Sequence, residues 1–154
     1  LRRRGDSPWI ALAPIKRRSN MNTIDCKKVR LMDILRAISA KKTTIEEALA
    51  TVNKIEDLLK GYKNTPFIIG KTNNPNQRDD AYDSKEYHIF EVVFSHSSLY
   101  AIDEMEKCLI RYFKIEETTA DDITNENDGG AGRKTDSLMY YIYVAIKTNN
   151  NENN

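Results

Sequence analysis

One carboxylate in the chain falls where an acid is costly to bury. Between residues 98 and 114, apolar side chains recur at helical spacing, among them Ile102, Met105 and Leu109. Glu106 lies four residues after Ile102 and three before Leu109, so it falls within the apolar stripe. The helical wheel places its acidic and basic neighbours on the solvent side or at its margin: Asp103, Glu104 and Lys107. A buried carboxylate needs a counter-charge or a metal ion, so the pattern predicts either a buried salt bridge or a functional acid.

A second candidate is the arginine that follows a short apolar strand. The strand ends at Gly70, where the backbone can turn sharply. Asn74 and Pro75 are typical of a helix start, with asparagine as the cap and proline in the first turn. Arg78 then lies one turn into that helix. A guanidinium there can form paired hydrogen bonds with a phosphate and stabilise its developing charge. Taken alone, Arg78 is more typical of a solvated surface arginine.

Taken together, these features resemble the second half of the GIY-YIG nuclease motif. The stretch FIIGKTNNPNQR joins a strand ending in Gly70 to a Lys-Thr-Asn-Asn turn, with Arg78 eight residues after the glycine and Tyr82 four further on. A strand follows, and then a helix in which Ala101 and Glu106 fit the family's Ala…Glu…Leu-Ile pattern. The resemblance covers about residues 66–115.

The resemblance implies a reaction and a set of residues for it. It implies hydrolysis of phosphodiester bonds, in DNA rather than RNA, with Arg78 and Tyr82 in the catalytic set. Glu106 would also be catalytic by holding Mg²⁺ or Mn²⁺. The turn residues Lys71, Asn73 and Asn74 would contact the nucleic acid.

The chain departs from the family pattern in its first half. Ile68 replaces the tyrosine of Tyr-Ile-Gly, and no strand carrying Gly-Ile-Tyr precedes Phe67. The apolar run at residues 138–146 is predicted to form the last strand, and it can fill the vacant place in the sheet. Tyr141 or Tyr143 would then supply the missing catalytic tyrosine. The alternative is that these tyrosines pack in the sheet, because strands favour aromatic residues.

Two functions from different classes therefore remain open. The chain is either an active divalent-metal-dependent endonuclease or a catalytically degenerate domain that binds nucleic acid or a protein partner. A third possibility is an accidental match on an α/β interaction module. The glycine-containing stretch 128–134 ends in Arg133 and Lys134. These two residues are predicted to contact a phosphate backbone, unless the stretch is only a mobile loop.

The remaining pattern predicts the elements that position these residues. Helices are expected near residues 24–41 and from the capping-box residue Thr44 to Gly61, forming a helical hairpin. After the strand ending at Gly70 come a helix at 75–83, a strand at 87–94, a helix at 98–114 and the strand at 138–146. The predicted fold is α+β, a small antiparallel sheet of about three strands flanked by helices.

Composition and charge limit the possible partners. The chain carries a net charge of +1. Residues 1–20 contain six basic residues and one acid, a net of +5, so the remainder carries −4. Nucleic-acid binding by that acidic body must rest on a local cluster of basic residues.

The sequence divides into three parts. Residues 1–20 are interpreted as a leader outside the fold or a basic arm. Residues 21–147 are interpreted as one domain, with its helical hairpin at 24–61 and its α/β core at 66–147. Residues 148–154 are interpreted as a disordered asparagine-rich tail.

The two cysteines and the hydropathy bear on the compartment. Cys26 and Cys108 both fall in helical patterns, where each is expected to be a buried thiol rather than part of a disulfide or zinc site. No apolar run approaches the roughly 20 residues of a membrane span. The sequence therefore predicts an intracellular, reducing compartment and no membrane partner.

Overall fold

The computed structural model describes residues 23–127, 129 and 136–148. Along the chain the elements are α1 (Thr23–Ala37), α2 (Ile45–Leu59), β1 (Phe67–Thr72), α3 (Pro75–Asp83), β2 (Ile89–His96), α4 (Leu99–Ile115) and β3 (Tyr140–Ile146). This confirms the predicted α+β class with a three-stranded antiparallel sheet. Within the described residues, no helix combines the length and apolar character that crossing a bilayer would require.

The last strand in sequence lies in the middle of the sheet. The strand order is β1-β3-β2, and β3 is antiparallel to both neighbours. β1 and β2 consequently run in the same direction, one on each side of β3, and α3 is the crossover between them. Gly70 of β1 lies opposite Tyr143 of β3, and Thr72 lies opposite Tyr141.

Helices α2, α3 and α4 each begin after a residue whose side chain caps the helix N-terminus. Thr44 and Glu47 form the predicted capping box, in which each side chain bonds to the other's backbone N–H. Asn74 accepts a hydrogen bond from the N–H of Gln77 at 3.2 Å, and Ser98 caps α4 in the same way. The side chains thus satisfy N–H groups that have no partner inside the helix.

The two faces of the sheet are covered differently. One face packs against α4, with α1 and α2 beyond it, and the hairpin and the sheet contribute to a single hydrophobic cluster. Alternation along β3 puts Ile142 and Val144 in this cluster and turns Tyr141 and Tyr143 to the opposite face. That opposite face packs against the short helix α3.

The outer edge of β1 is covered by the chain after α4. The N–H of Phe67 bonds to the carbonyl of Asp122 at 3.0 Å, and the N–H of Thr124 bonds to the carbonyl of Phe67 at 2.8 Å. The Asn125 amide continues the ladder: its Oδ1 accepts from the Ile69 N–H at 3.0 Å, and its Nδ2 donates to the Ile69 carbonyl at 2.7 Å. An edge covered in this way cannot pair with another chain.

Several predicted boundaries were wrong by a few residues. α1 ends at Ala37 rather than 41, because Ser39 adopts a φ of 55° and the N–H groups of Ser39 and Ala40 bond back to the carbonyls of Arg36 and Leu35. This is a Schellman ending formed without glycine. β2 begins at Ile89 rather than 87, since the chain turns at Glu86 with a φ of 71°. β2 continues to His96 through an irregularity between Val92 and Phe94.

Two predictions about burial were also wrong. Glu104 was placed at the solvent side of its helix, but it is only 6% exposed because the turn between α1 and α2 lies over it. Cys26 was expected to be buried, but it is exposed, because it lines open surface clefts beside α1 rather than the core. Cys108 is buried as predicted.

Candidate active site

The Tyr143 side chain lies across the backbone of β1 at Gly70. The two residues are directly opposite each other in the antiparallel pair. A β-carbon built on Gly70 would lie 2.3 Å from the Tyr143 hydroxyl oxygen and 2.5 Å from its Cζ atom. Real side chains do not approach this closely, so any larger residue would displace the tyrosine. Glycine is therefore needed at this position for close approach.

The Tyr143 hydroxyl is held by aromatic neighbours. It donates a hydrogen bond to the hydroxyl of Tyr82 on α3 at 3.3 Å. Its ring stacks on Phe90 of β2, with centroids 4.7 Å apart and an interplanar angle of 18°. The Tyr82 ring also meets the edge of Tyr87 at 5.4 Å. Stacking and hydrogen bonding together fix the position of the hydroxyl.

Two charged residues from different helices act on the same hydroxyl. Burial is the main cause that raises the Tyr143 pKa above its ordinary value, and the hydrogen bond to Tyr82 adds to it. The positive charge of Arg78 lowers this pKa, and the negative charge of Glu106 raises it. Tyr82 thus contacts the Tyr143 hydroxyl directly, whereas Arg78 and Glu106 act on it only through their charges, Glu106 from the helix on the other face of the sheet. Because its pKa is raised, the hydroxyl stays protonated at neutral pH.

Glu106 lies buried beneath the end of β1. It is 6% exposed, in agreement with its place in the apolar stripe of α4. The Lys71 ammonium lies 3.9 Å from its Oε1 atom and forms a closer contact, of 2.5 Å, with Asp103. Gly129, with a φ of 86°, packs so closely that an added β-carbon would lie 2.9 Å from Oε1. The carboxylate is therefore confined between a lysine and a glycine backbone.

Arg78 is placed differently from Glu106. Its side chain is exposed, and its guanidinium forms no hydrogen bond or ion pair with any residue the structure describes. Tyr82 lies one helical turn further along the same side of α3. The guanidinium is therefore free to meet an anion that reaches the Tyr143 hydroxyl.

The other predicted residues fall around this centre. Lys71 is occupied by the two acids of α4, whereas Asn73 is exposed and donates to Ser137 Oγ at 2.8 Å. Asn74 is exposed and caps α3. Tyr141 is half-buried on the same sheet face as Tyr143, but it has no hydrogen bond or ring contact with the described part of the chain. Arg133 and Lys134 lie outside the described residues.

Sequence reasoning missed several neighbours of the site. Phe90 could have been found, since alternation in β2 turns it to the face that carries Tyr143. Asn125 and Gly129 carried no local signal, because their roles come from a segment far along the chain that returns to β1 and α4.

Among the described residues, no group of three or more histidine, cysteine or acidic side chains is arranged to hold a metal.

A separate cleft lies on the other side of the molecule. It has a volume of about 1190 Å³ and lies between α1, α2 and residues 116–122. Its charged side chains include two ion pairs, Lys27 with Glu56 at 2.5 Å and Arg30 with Glu116 at 2.8 Å. None of the predicted catalytic residues lines it.

No protein-family model matches the chain, and neither a curated protein nor a solved structure matches it at a significant level.

Proposed function

We propose that the protein is a divalent-metal-dependent endonuclease of the GIY-YIG type that hydrolyses phosphodiester bonds in DNA. The observation that carries the proposal is geometric: the Tyr143 hydroxyl lies against Gly70 and bonds to Tyr82, one turn from Arg78 on the same helix. The charges of Arg78 and Glu106 also act on the Tyr143 hydroxyl. These three groups come from α3, α4 and β3, and the resemblance requires a guanidinium, a carboxylate and a tyrosine at one site.

The position of β3 also supports the proposal. The resemblance needs a strand bearing a tyrosine beside the strand that ends in glycine. β3 pairs with β1 and puts Tyr143 opposite Gly70. In this proposal the last strand would supply the tyrosine that the first half of the motif lacks, and Ile68 would remain an apolar residue at the position of the tyrosine in Tyr-Ile-Gly.

Each side chain has a role that follows from its surroundings. The exposed guanidinium of Arg78 would bind the scissile phosphate and stabilise the charge that develops on it. Because burial keeps Tyr143 protonated and its proton bonds to Tyr82, its hydroxyl oxygen would accept a hydrogen bond from the attacking water and orient it rather than remove its proton. Tyr82 accepts from this hydroxyl and fixes its direction.

Glu106 fits a metal site of one particular kind. Mg²⁺ is commonly bound through one or two carboxylates, with water and substrate phosphate completing its shell. Glu106 can supply one carboxylate, and Asp103 lies on the same helix beside the shared Lys71. Bound there, Mg²⁺ or Mn²⁺ would supply Lewis-acid polarisation of the phosphate.

One observation favours the second candidate function. Lys71 lies within 3.9 Å of Glu106 and also pairs with Asp103, so a lysine already partly compensates the carboxylate. A domain that had lost cleavage would keep such an arrangement as a structural ion pair. It would then bind nucleic acid or a protein partner without cutting.

Cleavage of plasmid and branched DNA with Mg²⁺ or Mn²⁺ tests the proposal. We expect Glu106→Gln and Arg78→Ala each to lower the rate by about 100-fold or more, as removal of a transition-state contact does. Glu46→Gln and Arg36→Ala change an exposed acid and an exposed arginine far from the site and should cut normally. Absence of cutting by the folded protein, or equal cutting by all four variants, would favour the binding module.

A further inference from the structure

Tyr141 differs from the other tyrosine on its sheet face in its contacts. Its ring is half-buried in the central strand. Among the described residues it has no ring partner, and its hydroxyl has no hydrogen bond. Tyr143, two residues later on the same face, is by contrast stacked, hydrogen-bonded and 2% exposed. Packing therefore accounts for Tyr143 but leaves part of the Tyr141 ring open.

The position of Tyr141 relates it directly to the candidate active site. Residues two apart on a strand are separated by about 7 Å on one face. Tyr141 lies opposite Thr72, which leads through Asn73 and Asn74 into α3. It is therefore at the end of the sheet where α3 begins, and Arg78 lies one turn into that helix. A phosphate held by Arg78 beside Tyr143 would have a neighbouring base within reach of the Tyr141 ring.

Charge and geometry decide which form of nucleic acid fits. The body of the protein carries −4, so it lacks the broad basic surface that holds duplex DNA by its phosphates. The bases of a duplex are already stacked on each other and cannot lie on a ring in a sheet face. An unpaired base can, and stacking on tyrosine tolerates any base identity.

We propose that Tyr141 is a stacking residue for an unpaired base next to the bond to be cut, so that the substrate is a single-stranded stretch of DNA. This inference rests on the proposed nuclease function, because that function places the phosphate. Arg78 supplies the charge complementarity, since its guanidinium is exposed and unpaired in the described part of the chain.

Binding without cleavage tests the inference separately. Fluorescence anisotropy would compare a labelled single strand with a hairpin duplex of the same composition, in EDTA so that no metal-dependent cutting occurs. We expect the single strand to bind more tightly, with a shallow salt dependence, because only a few phosphates are neutralised. Tyr141→Leu should weaken single-strand binding by on the order of tenfold, as loss of one stacked base does, with little effect on the duplex.

Two matched variants keep the result interpretable. Tyr141→Phe retains the ring, so it should restore the single-strand binding that Tyr141→Leu loses. Tyr100→Leu removes another exposed tyrosine, on α4, and should also bind normally. Equal binding of single strand and duplex, or unchanged single-strand binding by Tyr141→Leu, overturns the inference. A ribo-oligonucleotide that binds more tightly than its DNA counterpart overturns the assignment to DNA.

The two proposals can fail independently. Single-strand binding that depends on the Tyr141 ring, in a protein that cuts no DNA, would support the stacking role and remove the nuclease. Cutting of duplex DNA that is unchanged in Tyr141→Leu would support the nuclease and remove the stacking role. Thermal unfolding of each variant verifies that the compared proteins are folded.

Discussion

The hydroxyl group of Tyr143 occupies the space that a side chain on Gly70 would need, only 2.3 Å from where its β-carbon would be. The two residues belong to different strands and are more than 70 positions apart, yet any side chain at position 70 would displace the tyrosine. This relationship sets the position of a hydroxyl on which the charges of Arg78 and Glu106 both act.

Gly70→Ala is expected to displace Tyr143 and break its bond to Tyr82. The added methyl group should cost about 1–3 kcal/mol of stability, as overpacking does, and cleavage should fall further than stability alone explains. Gly61→Ala is the matched control, because its β-carbon would meet nothing closer than 4.0 Å. Denaturant unfolding and cleavage assays measure both effects. Normal cutting by Gly70→Ala would mean that the Tyr143 position is not needed.

Tyr143→Phe is expected to lower cleavage by about 100-fold, if the hydroxyl orients the attacking water. Stability should change little, because the hydrogen bond to Tyr82 is long at 3.3 Å. Tyr141→Phe removes a hydroxyl from the same sheet face and should cut at the normal rate. Similar rates for both variants would contradict the role given to Tyr143.

Alkaline pH should destabilise the protein through two buried tyrosines. Burial raises the pKa of both Tyr143 and Tyr112, and for Tyr112 the charges of Glu56 and Glu116 add to it. The unfolded chain releases these protons first, near pH 10, so stability is unaffected below about pH 10 and falls as the pH rises further. Ultraviolet titration should show late-ionising tyrosines, and Tyr143→Phe and Tyr112→Phe should each remove one. Uniform ionisation near pH 10 in the folded protein would refute this.

Glu104 should make the fold sensitive to acid. Burial alone would raise its pKa, but hydrogen bonds from the N–H groups of Lys41, Lys42 and Thr43 and from the Thr43 hydroxyl lower it below the ordinary value. The stabilisation is therefore present above about pH 4.5 and is lost as the pH falls through the lowered pKa.

The corresponding substitution is Glu104→Gln. Its amide cannot accept all these hydrogen bonds, so the free energy of unfolding should fall by about 2 kcal/mol near neutral pH, and less in acid. Glu46→Gln, at an exposed acid of α2, should leave the acid dependence unchanged. Thermal unfolding between about pH 3 and pH 7, a range that spans the ordinary carboxyl pKa, measures the difference. Equal acid dependence of the two variants would show that Glu104 is not the responsible group.

The sequence predicted those features that depend on local chemistry. Thr44 and Asn74 predicted helix starts correctly, because a capping side chain acts on the next turn of its own helix. The apolar stripe also identified Glu106 as buried. The same helical wheel failed for Glu104, although both acids are 6% exposed. The side of α4 that carries Glu104 is covered by the turn between α1 and α2, and a wheel contains no information about which neighbour covers a helix.

The site was predictable only as far as its residues are close in sequence. The spacing of Gly70, Arg78 and Tyr82 along one strand and helix gave their relationship directly. The choice between Tyr141 and Tyr143 stayed open, because the register of β3 against β1 decides it, and registers depend on pairing between distant segments. Asn125 had no signal at all, since its partners on Ile69 are backbone groups.

The central place of β3 also determines when the sheet can form. β1 and β2 have no ladder with each other, and each pairs with β3, which comes later in the chain, at separations of 44 to 79 residues. Such distant pairings make folding slow, because a long loop must close before any pair is gained. During synthesis, the hairpin and α4 can therefore pack before β3 is available to pair with β1 and β2. Because Tyr143 belongs to that strand, the candidate site would be completed only when β3 pairs with β1.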